Sequence, residues 1–178
     1  MSLPVVIGID PSSKKLAAVA AFGTPDRPRL VDWTARRLTT GNWDTSVTAL
    51  AMEWAWDIIG VARSAGDPVV YLEEPVVGRG GVRSTVVQAF TSGALQGALA
   101  YECVPVHLVN VGTWKREVVG NGHASKTDVG RLVRDDWPAA AAAVGSDQDL
   151  LDAAAICLYG LKVQARAGRI VEGGVGLP

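Results

Sequence analysis

The sequence predicts an α/β fold built on one mixed five-stranded sheet, with three antiparallel strands, then two parallel strands, and helices on both faces. Three short strand-like runs fill the first 38 positions and are separated only by tight turns, which is typical of an antiparallel meander. After them, long segments with helical spacing alternate with short apolar runs, which indicates parallel strands joined by crossover helices.

The antiparallel part of the sheet is predicted from three runs. Residues 4–9 are continuously apolar, residues 16–22 are small and apolar, and residues 30–38 alternate between apolar and polar side chains. Pro and Ser after Asp10, and the run Thr-Pro-Asp-Arg-Pro from Thr24, are turn sequences. The connections are too short for helices, so neighbouring strands are expected to pair antiparallel.

The parallel part follows from helical spacing. Apolar residues recur as on one helix face over 44–65, and a strand over 69–73 comes next. A second long helix over 84–102 leads to a fifth strand over 104–109. A crossover helix places the fourth strand parallel to the first, so the ends of these two strands are expected to lie side by side.

The last third of the chain is predicted to be helical. Its segments are a short helix over 112–118, a helix over 126–136 capped by Ser125, an alanine-rich helix end or linker over 139–143, and a last helix from the cap Ser146 to about Arg166. The Gly-rich tail over 168–178 is expected to be flexible. One domain over 4–167 is the prediction, because this length supports a single full core.

Composition indicates a globular protein outside the membrane. Apolar residues make up 48% of the chain and charged residues 20%, which is an ordinary profile for a soluble domain. No apolar run reaches the roughly 18 residues of a membrane span, and no basic stretch precedes an apolar one as in a secretory leader. Cys103 and Cys157 both lie in apolar segments and are expected to be buried free thiols. We therefore expect a cytoplasmic protein.

The net charge of −1 argues weakly against a nucleic-acid-binding protein, since such domains are often basic. The overall charge is misleading, however, if acids cluster at one site while basic residues surround it. The stretch 75–101 contains Arg79 and Arg83 and no acid, and a second basic group comprises Lys115, Arg116 and Lys126. Solvated surface charges are the alternative explanation for both groups.

Four carboxylates stand where a metal-dependent nuclease needs them. Asp10 ends the first apolar run, Glu73 ends the fourth strand, and Asp149 and Asp152 lie three apart at the start of the last helix. Positions i and i+3 share a helix face, so all four can converge. Such acids repel one another unless a cation joins them, and Mg²⁺ prefers oxygen ligands of this kind. The pattern predicts phosphodiester cleavage assisted by metal ions.

Two alternatives to a metal-binding role exist for Asp10. An aspartate before Pro11 commonly starts a turn. The first strand of actin-like ATPases and sugar kinases also ends in an aspartate, but that motif needs a glycine soon after, so that the backbone can approach phosphate. Here no glycine follows until Gly23, which argues against an ATPase.

The other acids also have alternatives. Glu73 and Glu74 point in opposite directions on a strand, and we expect Glu73 to face the site. Asp149 could instead complete a capping box with Ser146. Asp152 borders an apolar, small-residue face, where an acid is costly unless it is paired or bound to metal.

Lys126 is the basic residue with a specific predicted role. It lies near a helix start, where the helix dipole disfavours a cation, and a bound phosphate would relieve that cost. His123, in the preceding loop, could transfer a proton, although a single loop histidine is more often only solvated.

The whole pattern resembles the RuvC family of Holliday-junction resolvases, in the ribonuclease H-like nuclease superfamily. The matching stretches are Ile7-Gly8-Ile9-Asp10-Pro11, Tyr71-Leu72-Glu73-Glu74-Pro75, Lys115-Arg116-Glu117-Val118-Val119-Gly120-Asn121-Gly122-His123-Ala124-Ser125-Lys126, and Asp149-Leu150-Leu151-Asp152-Ala153-Ala154-Ala155-Ile156. They occur in the family's order and reach from residue 5 to about 162. The resemblance implies a ribonuclease H-like fold.

The resemblance also implies site residues. The family's catalytic acids fall on Asp10, Glu73, Asp149 and Asp152, which would hold two Mg²⁺ ions, with Mn²⁺ as a substitute. The residues expected to lie near DNA are Lys115 and Lys126, together with Arg116, Arg79, Arg83 and Ser84. The loop over 76–83 lacks the aromatic residue that some family members use against the junction centre.

The implied activity is that of a crossover junction endodeoxyribonuclease, acting as a homodimer on symmetric strands of a four-way DNA junction. Two alternatives stay open on the residues. The first is a ribonuclease H-like nuclease that acts on structured RNA or on other branched DNA. The second is a junction-binding protein whose catalytic site has decayed.

Overall fold

The protein is described by a computed structural model that covers residues 4–12, 14–38, 45–75 and 81–173. Five strands form one sheet in the order β3-β2-β1-β4-β5. They are β1 (Val5–Pro11), β2 (Lys15–Thr24), β3 (Arg27–Arg37), β4 (Pro68–Glu73) and β5 (Val106–Val109). The first three strands pair antiparallel, whereas β4 runs parallel to both β1 and β5. The mixed five-stranded sheet predicted from the sequence is therefore confirmed.

Six helices surround the sheet in the described residues. They are α1 (Thr45–Ala65), α2 (Gly81–Tyr101), α3 (Val111–Val119), α4 (Lys126–Asp136), α5 (Pro138–Val144) and α6 (Gln148–Gly173). The alanine-rich stretch is a separate helix, α5, because Pro138 stands in its first turn, where proline is well tolerated. Helix α6 continues past the predicted end near Arg166, so residues 168–173 of the predicted tail are helical, and residues 174–178 lie outside the described part.

The sheet has a hydrophobic core on each face. On one face, α6 covers β1 and β2, with α3, α4 and α5 packed around it, and Trp114 and Trp137 fill much of the volume. On the other face, α1 and α2 pack together over side chains such as Ile7, Ile9 and Leu72. Helices thus cover both faces of the sheet, as predicted, which keeps the central strands β1 and β4 out of water.

Helix α6 lies unusually close to the sheet because of glycines. A Cβ atom at Gly8 would stand 2.3 Å from both the carbonyl oxygen of Ala153 and the amide nitrogen of Cys157. A Cβ atom at Gly160 would stand 2.5 Å from side-chain atoms of Val6 and of the Tyr71 ring. Any larger side chain would push the helix away, so these two positions set the depth of α6 against β1 and β4.

The two cysteines differ from expectation in one respect. Cys157 is buried in α6, whereas Cys103 is exposed. The reason is local, since Cys103 occupies a left-handed turn (φ 54°) between α2 and β5. No helix in the described ranges is long and apolar enough to cross a membrane.

Candidate active site

Two neighbouring parallel strands place Asp10 and Glu73 together. Asp10 is the next-to-last residue of β1, and Glu73 is the last residue of β4. The register pairs Ile9 with Leu72, so the two carboxylates follow adjacent positions at the same edge of the sheet. This is the arrangement that the crossover connection predicted.

Helix α6 contributes the other two acids. Asp149 lies in its first turn and Asp152 in the next, and Asp152 is only 9% exposed. Because Gly8 admits Ala153 against β1, this end of α6 is pressed towards the strand that carries Asp10. The charges of Glu73, Asp152 and Asp149 all act on Asp10, so the structure brings the four predicted acids into one cluster.

The cluster is electrostatically strained in the anionic form. Burial first, and then the negative charges of Glu73, Asp152 and Asp149, raise the pKa of Asp10 well above its ordinary value, against a smaller opposite effect of Lys126. Burial also raises the pKa of Glu73 to about 7. The pKa of Asp152 is raised as well, again mainly by burial. Each of these shifts reports that a buried carboxylate lacks sufficient positive charge nearby.

Neutral donors orient two of the acids. Trp114, on α3, donates a hydrogen bond from Nε1 to Glu73 Oε2 at 2.7 Å. Gln148, the first residue of α6, donates from Nε2 to Asp152 Oδ1 at 2.9 Å. Both hydrogen bonds lower the pKa of their acid without outweighing burial. Sequence analysis singled out neither residue. Trp114 reaches Glu73 from another element of the fold, whereas the i, i+4 spacing of Gln148 and Asp152 on one helix could have indicated their pairing.

Two of the predicted basic residues lie beside the acids. Lys126 begins α4 after the Ser125 cap, is exposed, and lowers the pKa of Asp10, Glu73 and Asp152. Lys115 lowers the pKa of Glu73 and Asp152. Its Nζ donates to the carbonyl oxygen of Ala124 at 2.8 Å and stands 5.6 Å from the centre of the Trp114 ring.

The remaining predicted contacts are less central. Arg116 is exposed on α3, Arg83 is exposed on the first turn of α2, and Ser84 beside it is half-buried. Arg79 lies outside the described residues. The contact of these four side chains with a nucleic acid stays a prediction.

Asp149 is not the capping acid that one interpretation of the sequence suggested. Helix α6 begins at Gln148, so Asp147 occupies the cap position instead of Ser146. Its Oδ1 accepts from the backbone nitrogens of Asp149 and Leu150 at 3.2 and 3.4 Å. The preference of aspartate for N-cap positions could have identified Asp147 from the sequence. Asp149 is therefore available for another role.

Lys15, at the start of β2, is a further residue that the sequence did not reveal. Its Nζ donates to both carboxylate oxygens of Asp147 at 2.5 Å and lies 3.4 Å from Asp149 Oδ2. The hydrogen bond from Lys15 lowers the pKa of Asp147, although burial works in the opposite direction. The partners are 132 residues apart along the chain, and no local pattern predicts such a pair.

The donor chemistry of the cluster fits a hard divalent cation. Carboxylate oxygens are the ligands that Mg²⁺ prefers, and a cation would relieve the repulsion that raises the pKa of Asp10. As the side chains stand, however, no three His, Cys, Asp or Glu residues within the described ranges surround a single point closely enough to hold a metal ion. Direct coordination would therefore require these carboxylate side chains to move closer together.

Comparison with solved structures identifies the fold. The structure of Thermus thermophilus RuvC in complex with a Holliday junction substrate is 24% identical, with a TM-score of 0.77 over 93% of this chain and 96% of that chain. A second Thermus thermophilus RuvC structure is 23% identical, with a TM-score of 0.74 over 92% and 96%. The yeast mitochondrial Holliday junction resolvase Ydc2 is 14% identical, with a TM-score of 0.66 over 97% and 83%.

These likenesses show the fold, and the resemblance to RuvC is confirmed at that level. The strand order and the parallel and antiparallel pairing agree with a ribonuclease H-like sheet. No protein-family model matches the sequence, and no curated protein matches it.

Proposed function

We propose that this chain is a Mg²⁺-dependent endonuclease that resolves four-way DNA junctions. The observation that carries the proposal is the meeting of four carboxylates from β1, β4 and α6, with Lys115 and Lys126 beside them. Proteins with the same fold and nearly the same length include junction resolvases, one of them in complex with its substrate. An acidic cluster of this kind is typical of two-metal phosphodiester hydrolysis.

The four acids Asp10, Glu73, Asp149 and Asp152 would hold the metal. The chemistry that Mg²⁺ would supply there is activation of a water molecule and stabilisation of the departing oxygen. The protein's own groups then fix the geometry: Trp114 orients Glu73, and Gln148 orients Asp152.

The lysines act on the substrate rather than on the metal. Lys126, which is exposed, and Lys115 would place positive charge near a phosphate of the DNA backbone that approaches the acids. In that position their positive charge would stabilise the transition state of cleavage, in which negative charge increases on the phosphate. Contacts of the protein with the DNA backbone fix the position of the DNA and carry no sequence information themselves. Such contacts suit recognition of a junction by its shape.

Contacts away from the acids would come from α2, α3 and the loop before α2. Arg116 and the predicted residues Arg79, Arg83 and Ser84 would contact the DNA backbone. Shape-selective binding needs contacts with more than one arm of the junction.

A homodimer is also proposed, because a four-way junction presents two symmetric strands. The face of α2 supports this, since Phe90 is 52% and Tyr101 is 79% exposed. A Cβ atom at Gly93 or Gly97, which also lie on α2, would meet nothing within 4 Å. Packing inside the described part of this chain therefore does not require these glycines, whereas contact with a second copy would. A cytoplasmic location stays a prediction.

The direct test is a substrate panel. Strand-labelled four-way DNA, linear duplex DNA and structured RNA are each incubated with the protein, with Mg²⁺ or with chelator, and the cut positions are mapped. We expect symmetric cuts near the crossover of the four-way junction only, and only with Mg²⁺. Faster cleavage of RNA would favour the other ribonuclease H-like nuclease, and junction binding without turnover would favour the decayed site.

A further inference from the structure

The start of α6 is tied to the sheet by one lysine that no sequence motif contains. Lys15 Nζ lies 2.5 Å from the nearest oxygen of Asp147 and 3.4 Å from Asp149 Oδ2. The side chain of Lys15 is 19% exposed, that of Asp147 is 32% exposed and that of Asp149 is 26% exposed. This is a shared, mostly shielded ion pair between a strand and a helix, unlike the exposed pairs that contribute little to stability.

The geometry gives Asp147 two functions at once. Its carboxylate caps α6 through the backbone nitrogens of Asp149 and Leu150, and it binds Lys15 through both oxygens. The position of the first helical turn is thereby linked to the position of β2. Since residues 16–21 of β2 pair with β1, with Ala17 opposite Asp10, Lys15 connects the two acids of α6 to the strand that carries Asp10.

Lys15 also contacts Asp149 itself. Asp149 projects from the first turn of a helix, where a side chain can swing towards solvent, and the cap position before it belongs to Asp147. The ammonium group beside Asp149 Oδ2 limits this freedom. It also offsets some of the negative charge that Asp149 adds to the acidic cluster.

We propose that Lys15 is a positioning residue of the active site, which holds Asp149 in the acidic cluster by pairing it with the helix-capping Asp147. This inference rests on the proposed nuclease function. Lys15 touches neither the substrate nor the metal in this role, and it acts through the two aspartates.

The variant Lys15→Met tests the proposal, because Met keeps the length of the side chain and removes its charge. Lys14→Met is the matched control, since Lys14 is the neighbouring residue, is exposed and carries the same charge. Lys15→Arg retains a cation and should restore function. Asp147→Asn keeps the cap, because Asn is as good an N-cap as Asp, and removes the Lys15–Asp147 ion pair without altering Lys15 or Asp149.

The first measurement is hydrogen exchange of backbone amides in the metal-free protein. In Lys15→Met and in Asp147→Asn we expect the amides of Asp149 and Leu150 to exchange about tenfold faster than in wild type, with unchanged exchange in the middle of α6. Lys14→Met should match wild type. Unchanged exchange at the helix start in both test variants would overturn the proposal, whatever the protein cleaves.

The second measurement separates positioning from metal binding. Calorimetric titration with Mg²⁺ should give a Kd for Lys15→Met within about threefold of wild type, whereas kcat at saturating Mg²⁺ should fall about tenfold or more, because small misplacement of a reacting group is costly. KM for the junction should not change, and Lys15→Arg should recover most of kcat. A kcat for Lys15→Met equal to that of Lys14→Met would refute the positioning role.

The two failures are distinguishable. A wild-type protein that neither binds Mg²⁺ nor cuts a junction would overturn the proposed nuclease function, and hydrogen exchange would still report whether Lys15 holds the start of α6. An active wild type with an unaffected Lys15→Met variant would overturn only the role of Lys15.

Discussion

Trp114 donates a hydrogen bond from its indole Nε1 to Glu73 Oε2 at 2.7 Å, which joins α3 to the last residue of β4. The ring is 1% exposed, so water competes little for this hydrogen bond. It fixes one carboxylate oxygen of Glu73 and lowers its pKa, although burial still raises that pKa to about 7. A buried aromatic side chain therefore orients an acid of the candidate active site and partly offsets the effect of burial on its pKa.

Removal of the indole donor in Trp114→Phe should make Glu73 harder to ionise. A hydrogen bond of this kind contributes about 1 kcal/mol, which corresponds to roughly one pKa unit. We expect the acidic limb of the pH–rate profile for Mg²⁺-dependent cleavage to move to higher pH by roughly that amount. The profile of kcat between acidic and alkaline pH measures the shift.

Trp137→Phe is the matched control for this experiment. Trp137 is equally buried, and its Nε1 has no hydrogen-bond partner within the described structure. The substitution removes the same atoms from a core position away from Glu73, so the pH–rate profile should keep its midpoint. An identical shift in both variants would show that loss of packing, and not of the donor, is responsible.

The raised pKa of Glu73 also makes stability depend on pH. Its ordinary pKa is 4.5 and its value in the fold is about 7, so the folded state favours the protonated acid. The stabilising effect is complete below about pH 4.5 and is lost as pH rises through about 7. Wild type without metal should therefore lose stability relative to Glu73→Gln over this window, as measured by urea unfolding with chelator present.

Mg²⁺ should reverse that trend, because a metal ligand must be deprotonated. The stabilisation by Mg²⁺ is expected to grow as pH rises through about 7 in wild type and to be weaker in Glu73→Gln. If added Mg²⁺ stabilised both proteins equally at every pH, Glu73 would not belong to a metal site.

Lys126→Ala should slow cleavage more than it weakens binding. The lysine lies beside the acids and is exposed. Its positive charge should therefore stabilise the transition state of cleavage, in which negative charge increases on the phosphate, more than it stabilises the bound junction. We expect a decrease in kcat of about 10- to 100-fold and a change in junction Kd of less than about threefold. Single-turnover cleavage and gel-shift titration measure the two quantities.

Lys162→Ala is the charge-matched control, since Lys162 is on α6 and hydrogen-bonds to the carbonyl oxygen of Glu117. It should cleave as wild type does. A rate for Lys126→Ala equal to wild type would remove Lys126 from the mechanism.

Gly8→Ala should separate α6 from β1. The new Cβ atom would stand 2.3 Å from backbone atoms of Ala153 and Cys157, and backbone cannot yield as a flexible side chain does. Overpacking of this kind costs about 3 kcal/mol, which urea unfolding would detect. Gly60→Ala, in an exposed helical position with open space, should instead stabilise by about 0.5–1 kcal/mol.

The cleavage rate of the Gly8→Ala variant is a second test of the contact between β1 and α6. Because Gly8 sets the depth of the helix that bears Asp149 and Asp152, folded Gly8→Ala protein should cleave more slowly than wild type. A variant as stable as wild type would show that the close contact of β1 with α6 does not limit this fold.

The sequence was sufficient for the sheet and for the pair Asp10 and Glu73. Periodicity identifies five strands, and the rule that crossover connections give parallel neighbours brings β4 beside β1. The carboxyl ends of adjacent parallel strands lie at the same edge of the sheet, whichever side chains they carry. The i, i+3 spacing likewise placed Asp149 and Asp152 on one face of α6.

Side chains that meet only through tertiary packing were beyond sequence reasoning. Lys15 and Asp147 are 132 residues apart, and Trp114 reaches Glu73 from a helix that no motif connects with it. The cap of α6 was misassigned by one residue, to Ser146 instead of Asp147, because both residue types are good N-caps. The preference of each residue type for the N-cap position cannot distinguish Ser146 from Asp147 when the contact with Lys15, which is distant in sequence, favours Asp147.

The most direct measurement is Mg²⁺-dependent cleavage of a strand-labelled four-way junction by wild type and by Asp10→Asn. Burial and the charges of the other three acids all raise the pKa of Asp10. We expect wild type to make symmetric cuts, and Asp10→Asn to bind the junction normally while its cleavage rate falls by about 100-fold or more. Cleavage by Asp10→Asn at the wild-type rate would contradict a metal-dependent acidic active site in this protein.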